Sequence, residues 1–214
     1  SYLGWITYRD SPWQFPIGLN FNYGMEMNNT IIMSDSIPLF SVLFKSISVI
    51  IPSNFQYFGL YVLASYILQT TISTKLLSKY LHSKIQIYAG SALISFQPIL
   101  WNRVNVHIAL ISHWLILIFL YLCLIRPKYR LIYWAIFLSL ASLIHFYFCV
   151  MGMILFLCDQ VSELVKLRQP RILLNTFFAG LSLIGTMWCI GYFAIPAIEA
   201  QTKFGFNLQR MDLV

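Results

Sequence analysis

Apolar stretches long enough to cross a bilayer recur along this chain, and they constrain its fold more than any other feature. A helix needs about 20 apolar residues to traverse ~30 Å of hydrocarbon. Segments 57–74, 85–101, 106–125 and 172–197 meet that length. The run 131–158 is too long for one untilted span and carries His145, Phe146 and Tyr147 near its middle, so two short helices meeting at His145 are predicted. Composition agrees, because 59% of residues are apolar and 10% charged, against about a quarter charged in soluble domains. The predicted fold is an all-α, polytopic membrane protein of about six spans with interfacial outer helices. A soluble enzyme, a disordered chain and a disulfide scaffold are excluded.

Charge sets an expected orientation. Lys75, Lys79 and Lys84 lie in 75–84, Arg126, Lys128 and Arg130 in 126–130, and Lys166, Arg168 and Arg171 in 159–171. If all three loops face the cytoplasm, nine of the fourteen basic residues are inside, accompanied only by Asp159 and Glu163, as the positive-inside rule requires. That partition needs 131–158 to cross twice. The net charge of +7 is therefore read as an orientation signal, with no nucleic acid as partner. Segment 36–51 is short, interrupted by Lys45 and closed by Pro52; it is read as an interfacial or re-entrant helix whose Lys45 reaches the headgroups. The alternative, a true span, would invert everything downstream. The expected organisation is 1–56 as an outer aromatic loop with that helix, 57–197 as the transmembrane bundle and 198–214 as the start of a further outer loop. Both ends read as cut from a longer chain.

Chemistry is sought where polar residues gather on the expected outer side. Segment 1–35 holds Arg9, Asp10, Glu26 and Asp35 among Trp5, Trp13, Phe15 and Tyr23. Asp35 precedes the apolar helix expected from Ile37, where it or Ser34 would also serve as a cap. The stretch WNRVNVH, 101–107, reads as a tight outer turn; Arg103 and His107 are four apart and suit a phosphate held at membrane level. The alternative is an Arg103 that only snorkels to headgroups. His145 would stand on the same side, at the tip of its hairpin. His113 lies deeper and is read as a neutral imidazole bonded to a neighbouring helix, and His82 as a solvated loop residue. Cys123, Cys149, Cys158 and Cys189 form no metal-binding pair. No phosphate-loop, dinucleotide or zinc-protease motif occurs. Asn28-Asn29-Thr30 matches the glycosylation sequon.

The order GWITYRDSPWQFPIG, SDSIPLFSVLFK, FQYFGLYVLASYILQ and R-x-x-x-H before HWLIL resembles an uncharacterised bacterial membrane-protein family. That family is similar to GT-C glycosyltransferases, which use polyprenyl-phosphate sugars. The resemblance runs from Gly4 to about Phe206 and implies a multi-span enzyme of the inner (cytoplasmic) membrane whose site opens to the periplasm or exterior. It implies as partners the bilayer, a polyprenyl-phosphate sugar and an acceptor glycan or lipid. An outer carboxylate would act as base, with Asp35 ranked before Asp10 and Glu26. Arg103, His107, His145 and Arg9 would bind substrate or lipid phosphate. Some relatives use a divalent metal, although no dedicated ligand set is visible. The competing readings are a transporter or flippase of a lipid-linked or anionic substrate, and a non-catalytic membrane subunit with outer loops that bind a partner.

Overall fold

The computed structural model describes residues 2–21, 23, 29–168 and 171–194. Glu26 and segment 198–214 lie outside the described residues, as does Asn28 of the sequon. The chain divides into two compact units, 1–52 with 187–214, and 53–186.

The first unit opens with α1 (Tyr2–Asp10), where the sequence suggested only loop, followed by paired two-residue strands in which Leu19 faces Thr30 and Asn20 faces Asn29. A 3-10 turn, Ile31–Ser34, then leads into α2 (Pro38–Ser46). Trp5, Tyr8, Ile31 and Ile37 form its fully buried core. A Cβ on Gly4 would meet the Ser34 Cβ at 2.5 Å, so α1 packs on the serine turn only because residue 4 is glycine. The turn is strained. Asp35 and Ile37 both have φ 51°, a conformation costly for β-branched Ile37 and disfavoured before proline. It is fixed by Ser34 Oγ to Ser36 Oγ at 2.8 Å and by Ser41 Oγ donating to the Ser36 carbonyl at 2.7 Å. Ser34 and Asp35 therefore do not cap α2; its N-cap is Ile37, with no side-chain hydrogen bond.

Lys45 also departs from expectation. It is 3% exposed, and its ammonium bonds Ser11 Oγ at 2.9 Å while standing 4.0 Å from the Tyr8 ring centre and 4.8 Å from that of Trp13. The aromatic faces replace the headgroups as the cation's partner.

The second unit is a helical bundle. It comprises α3 (Phe58–Leu77), α4 (Lys84–Ser95), α5 (Pro98–Val106), α6 (Trp114–Ile125), α7 (Arg130–Ile144), α8 (Phe146–Leu167) and most of α9 (Arg171–Ile190). The expected break at His145 is present. Segment 85–101 is two helices instead of one, because Pro98 has no N–H to donate and forces Gln97 out of the α region, at ψ 139°. WNRVNVH accordingly belongs to α5 and is not a turn. Residues 159–167, expected in a loop, extend α8. Among the described residues, three helices are long and apolar enough to cross a membrane: Ile108–Ile125, Phe146–Leu167 and Ile172–Ile190. Large apolar side chains stand on the outside of the bundle, with Leu63, Ile67, Leu93, Ile136, Ile154 and Phe177 each more than half exposed.

Side-chain pairs give the helix directions. Ser73 meets Ser91 at 2.6 Å and Thr70 meets Ser95 at 3.0 Å, so α3 and α4 are antiparallel across a seam of hydroxyls. Arg130 pairs with Glu163 and Trp134 with Asp159, which makes α7 and α8 an antiparallel hairpin. His113 lies against Phe148 and Cys123 against Leu155, so α6 runs parallel to α8. Tyr61 bonds the Ala109 carbonyl while Lys75 covers the Tyr121 ring, so α3 also runs parallel to α6. Consequently 75–84, 126–130 and the end of α8 gather at one end of the unit. Segment 96–113 and His145 gather at the other.

A buried charge cluster closes the basic end. Asp159 Oδ2 accepts from Trp134 Nε1 at 3.0 Å and lies 3.1 Å from Arg130 Nε, while Arg126 is 3.6 Å from Oδ1. With the Asp159 side chain 1% exposed and that of Arg130 8% exposed, each compensates the other's desolvation.

Candidate functional site

The end of the second unit away from the basic segments holds an open cavity of about 530 Å³. Its polar wall is Arg103, His107, His113, His145 and Tyr147; Ile99, Leu110, Ile116, Phe148 and Met151 supply the apolar wall. Three of the residues singled out in the sequence, Arg103, His107 and His145, thus share one cavity. His113, read as structural, joins them.

Local structure explains each position. Arg103 occupies the last turn of α5, where a cation is favourable at the negative end of the helix dipole. His107 caps that helix, its N–H donating to the Arg103 carbonyl at 3.0 Å. The turn that follows is held by Ser112, whose hydroxyl meets Tyr61 Oη at 2.7 Å and Trp114 Nε1 at 2.9 Å. His113 then stands at the N-cap of α6. His145 is the N-cap of α8, with Nδ1 accepting from the Tyr147 N–H at 3.2 Å, so the neutral ring carries its proton on Nε2.

The one formal charge among the lining residues is that of Arg103. Three imidazoles, the N-termini of the parallel helices α6 and α8 and the C-termini of α5 and α7 meet the same space, and no carboxylate is among the lining residues. Helix N-termini present positive partial charge and unpaired N–H groups to a ligand. The arrangement suits an oxyanion with an apolar tail. It does not suit a divalent metal: among the described residues no group of three or more His, Cys, Asp or Glu could hold one.

Arg9 and Asp35 belong to the first unit. Arg9 spends its guanidinium on backbone, donating to the carbonyls of Pro52 at 2.6 Å, Ser48 at 3.1 Å and Ile51 at 2.8 Å. Those bonds tie the chain leaving α2 to α1, a structural task in place of the expected phosphate contact. Asp35 closes the 3-10 turn and is half-buried. The place of His113 in the cavity lining was not legible, because a histidine within an apolar run gives no sign of which helix face it takes.

A family model described as Domain of unknown function (DUF6311) matches residues 1–214. The chain belongs to this family. No curated protein and no solved structure matches it. The family's description names no activity, so the chemistry rests on the cavity.

Proposed function

We propose that this chain is an inner (cytoplasmic) membrane glycosyltransferase that holds the phosphate of a polyprenyl-phosphate sugar in the Arg103 cavity. The observation that carries the reading is the convergence of Arg103, three histidines and two helix N-termini on one carboxylate-free cavity beside an apolar wall. Six crossings, the last being α9, would set the Lys- and Arg-rich end in the cytoplasm and open the cavity to the periplasm or exterior. In the reaction an acceptor hydroxyl attacks the anomeric carbon as the bond to the phosphate oxygen breaks. The phosphate leaves with that electron pair and Arg103 stabilises the charge developing on it. The hydroxyl proton passes to a carboxylate base, for which Asp35 is proposed on sequence grounds alone.

Lipid-linked sugar transfer by the full-length protein in membranes tests this. Arg103→Ala should reduce transfer about a hundredfold or more with normal membrane insertion, and Asp35→Asn should do likewise. Unchanged transfer by Arg103→Ala would remove the cavity from the reaction. Absence of transfer by the parent across a broad panel of polyprenyl-phosphate sugars would favour transport of a lipid-linked anion.

A further inference from the structure

The opposite end of the second unit carries a second basic feature that sugar transfer does not use. A cleft of about 490 Å³ is formed by 126–132 and Glu163, and it includes Arg126, Lys128 and Arg130. An adjoining groove of about 320 Å³ lies between α3, α6 and α7 and shares Pro127 with the cleft. Its walls are apolar and aromatic, with Ile72, Ile118, Tyr121 and Phe137. Lys75 stands at the groove, 5.6 Å from the Tyr121 ring centre.

We propose that this end binds an anionic phospholipid, with its phosphate in the cleft and an acyl chain in the groove. The charge fits. Arg126, Lys128 and Arg130 face two carboxylates, Asp159 and Glu163, and both carboxylates are already engaged by Arg130. With Arg126 also paired to Asp159 at 3.6 Å, its side chain 38% exposed, the three cations exceed the two carboxylates by one, and that surplus positive charge stands on exposed Lys128. The N-terminus of the 15-residue helix α7 opens into the same cleft, adding its positive dipole end. Depth fits too, since the apolar helix ending at Ile125 gives way to Arg126 where hydrocarbon would give way to headgroups. Free phosphate would use the cleft but have no use for the groove. Basic pockets between membrane helices are a known physical solution for holding anionic headgroups. The proposal is independent of the Arg103 cavity.

Native mass spectrometry of the full-length protein, loaded with equal phosphatidylglycerol and phosphatidylcholine, reads the site directly. The wild type should retain phosphatidylglycerol about fivefold over phosphatidylcholine for each cation that contributes. Lys128→Ala should lower that preference about fivefold, and Ile72→Trp, which fills the groove, should lower total retained lipid. Lys128 makes no ion pair with the Asp159 cluster, so its removal leaves the fold intact, which circular dichroism verifies. The paired change Lys166→Ala with Arg168→Ala, at the same end but outside the cleft, should leave the preference unchanged. An equal loss with that pair would mean diffuse surface charge and overturn the proposal. Displacement of the lipid by millimolar inorganic phosphate would overturn the lipid assignment.

Discussion

Lys45 shows how a single residue can be correctly noticed and wrongly directed. A lysine interrupting a short apolar helix is ordinarily expected to extend its ammonium to water. Here Tyr8 and Trp13, on the preceding segment, offer two aromatic faces, and the stem stays inside. Burial lowers the Lys45 amine from its usual value near 10.5 to about 8. Because the folded value is the lower one, the unfolded chain holds more protons between about pH 8 and 10.5, and stability should rise with pH across that window. Thermal unfolding against pH should show this rise in the wild type, and Lys45→Met should lack it; parallel curves would refute the assignment. Asp159 is the complementary case. In the sequence it is one acid in a basic loop. Only the last turns of α8, packed against α7, turn it into a buried partner of Arg130 and Trp134.

At the scale of helices, the breaks shape the cavity. Proline at 98 and the extended backbone of His145 (φ −162°, ψ 136°) interrupt what hydropathy reads as continuous. The break at His145 brings that histidine and the N-terminus of α8 to the cavity, and the break at Pro98 begins the short helix α5, whose Ile99 and Arg103 line it. The His145 break was legible because 131–158 is too long for one crossing. The break at Pro98 carried an equally plain signal, the proline itself, which the length of the apolar run obscured. Contact between α6, α7 and α8 depends on one small residue. A Cβ on Gly152 would lie 2.6 Å from the Phe119 ring and 2.9 Å from Leu138. Gly152→Ala should therefore cost about 1–3 kcal/mol, measured as a fall in unfolding midpoint in detergent. Gly180→Ala, with nothing within 4 Å of its new methyl, should be neutral or slightly stabilising. Equal effects at both positions would contradict the packing.

At the scale of the whole molecule, the charged and histidine side chains described in the second unit gather at its two ends, one basic and braced by Asp159, the other lined with histidine. If the bundle crosses the membrane as proposed, single cysteines at Lys79 and at Asn105 should react with an impermeant thiol reagent from opposite sides of a sealed vesicle, in a background lacking the native cysteines. Labelling of both from one side would refute that orientation. The sequence by itself determined that this chain is helical and largely apolar, where its long runs lie, that 131–158 must bend, and that its basic residues fall into three groups. These are one-dimensional properties: run length, composition and spacing. Only the tertiary structure decided which polar side chains meet, joining His113 to Arg103, His107 and His145, turning Lys45 inward and committing Arg9 to backbone carbonyls. The reason is that helices surrounded by lipid are apolar on their packed and unpacked faces alike. Hydropathy then fixes the length of each helix while leaving its rotation, and so the direction of every rare polar residue, to be set by the neighbours against which it packs.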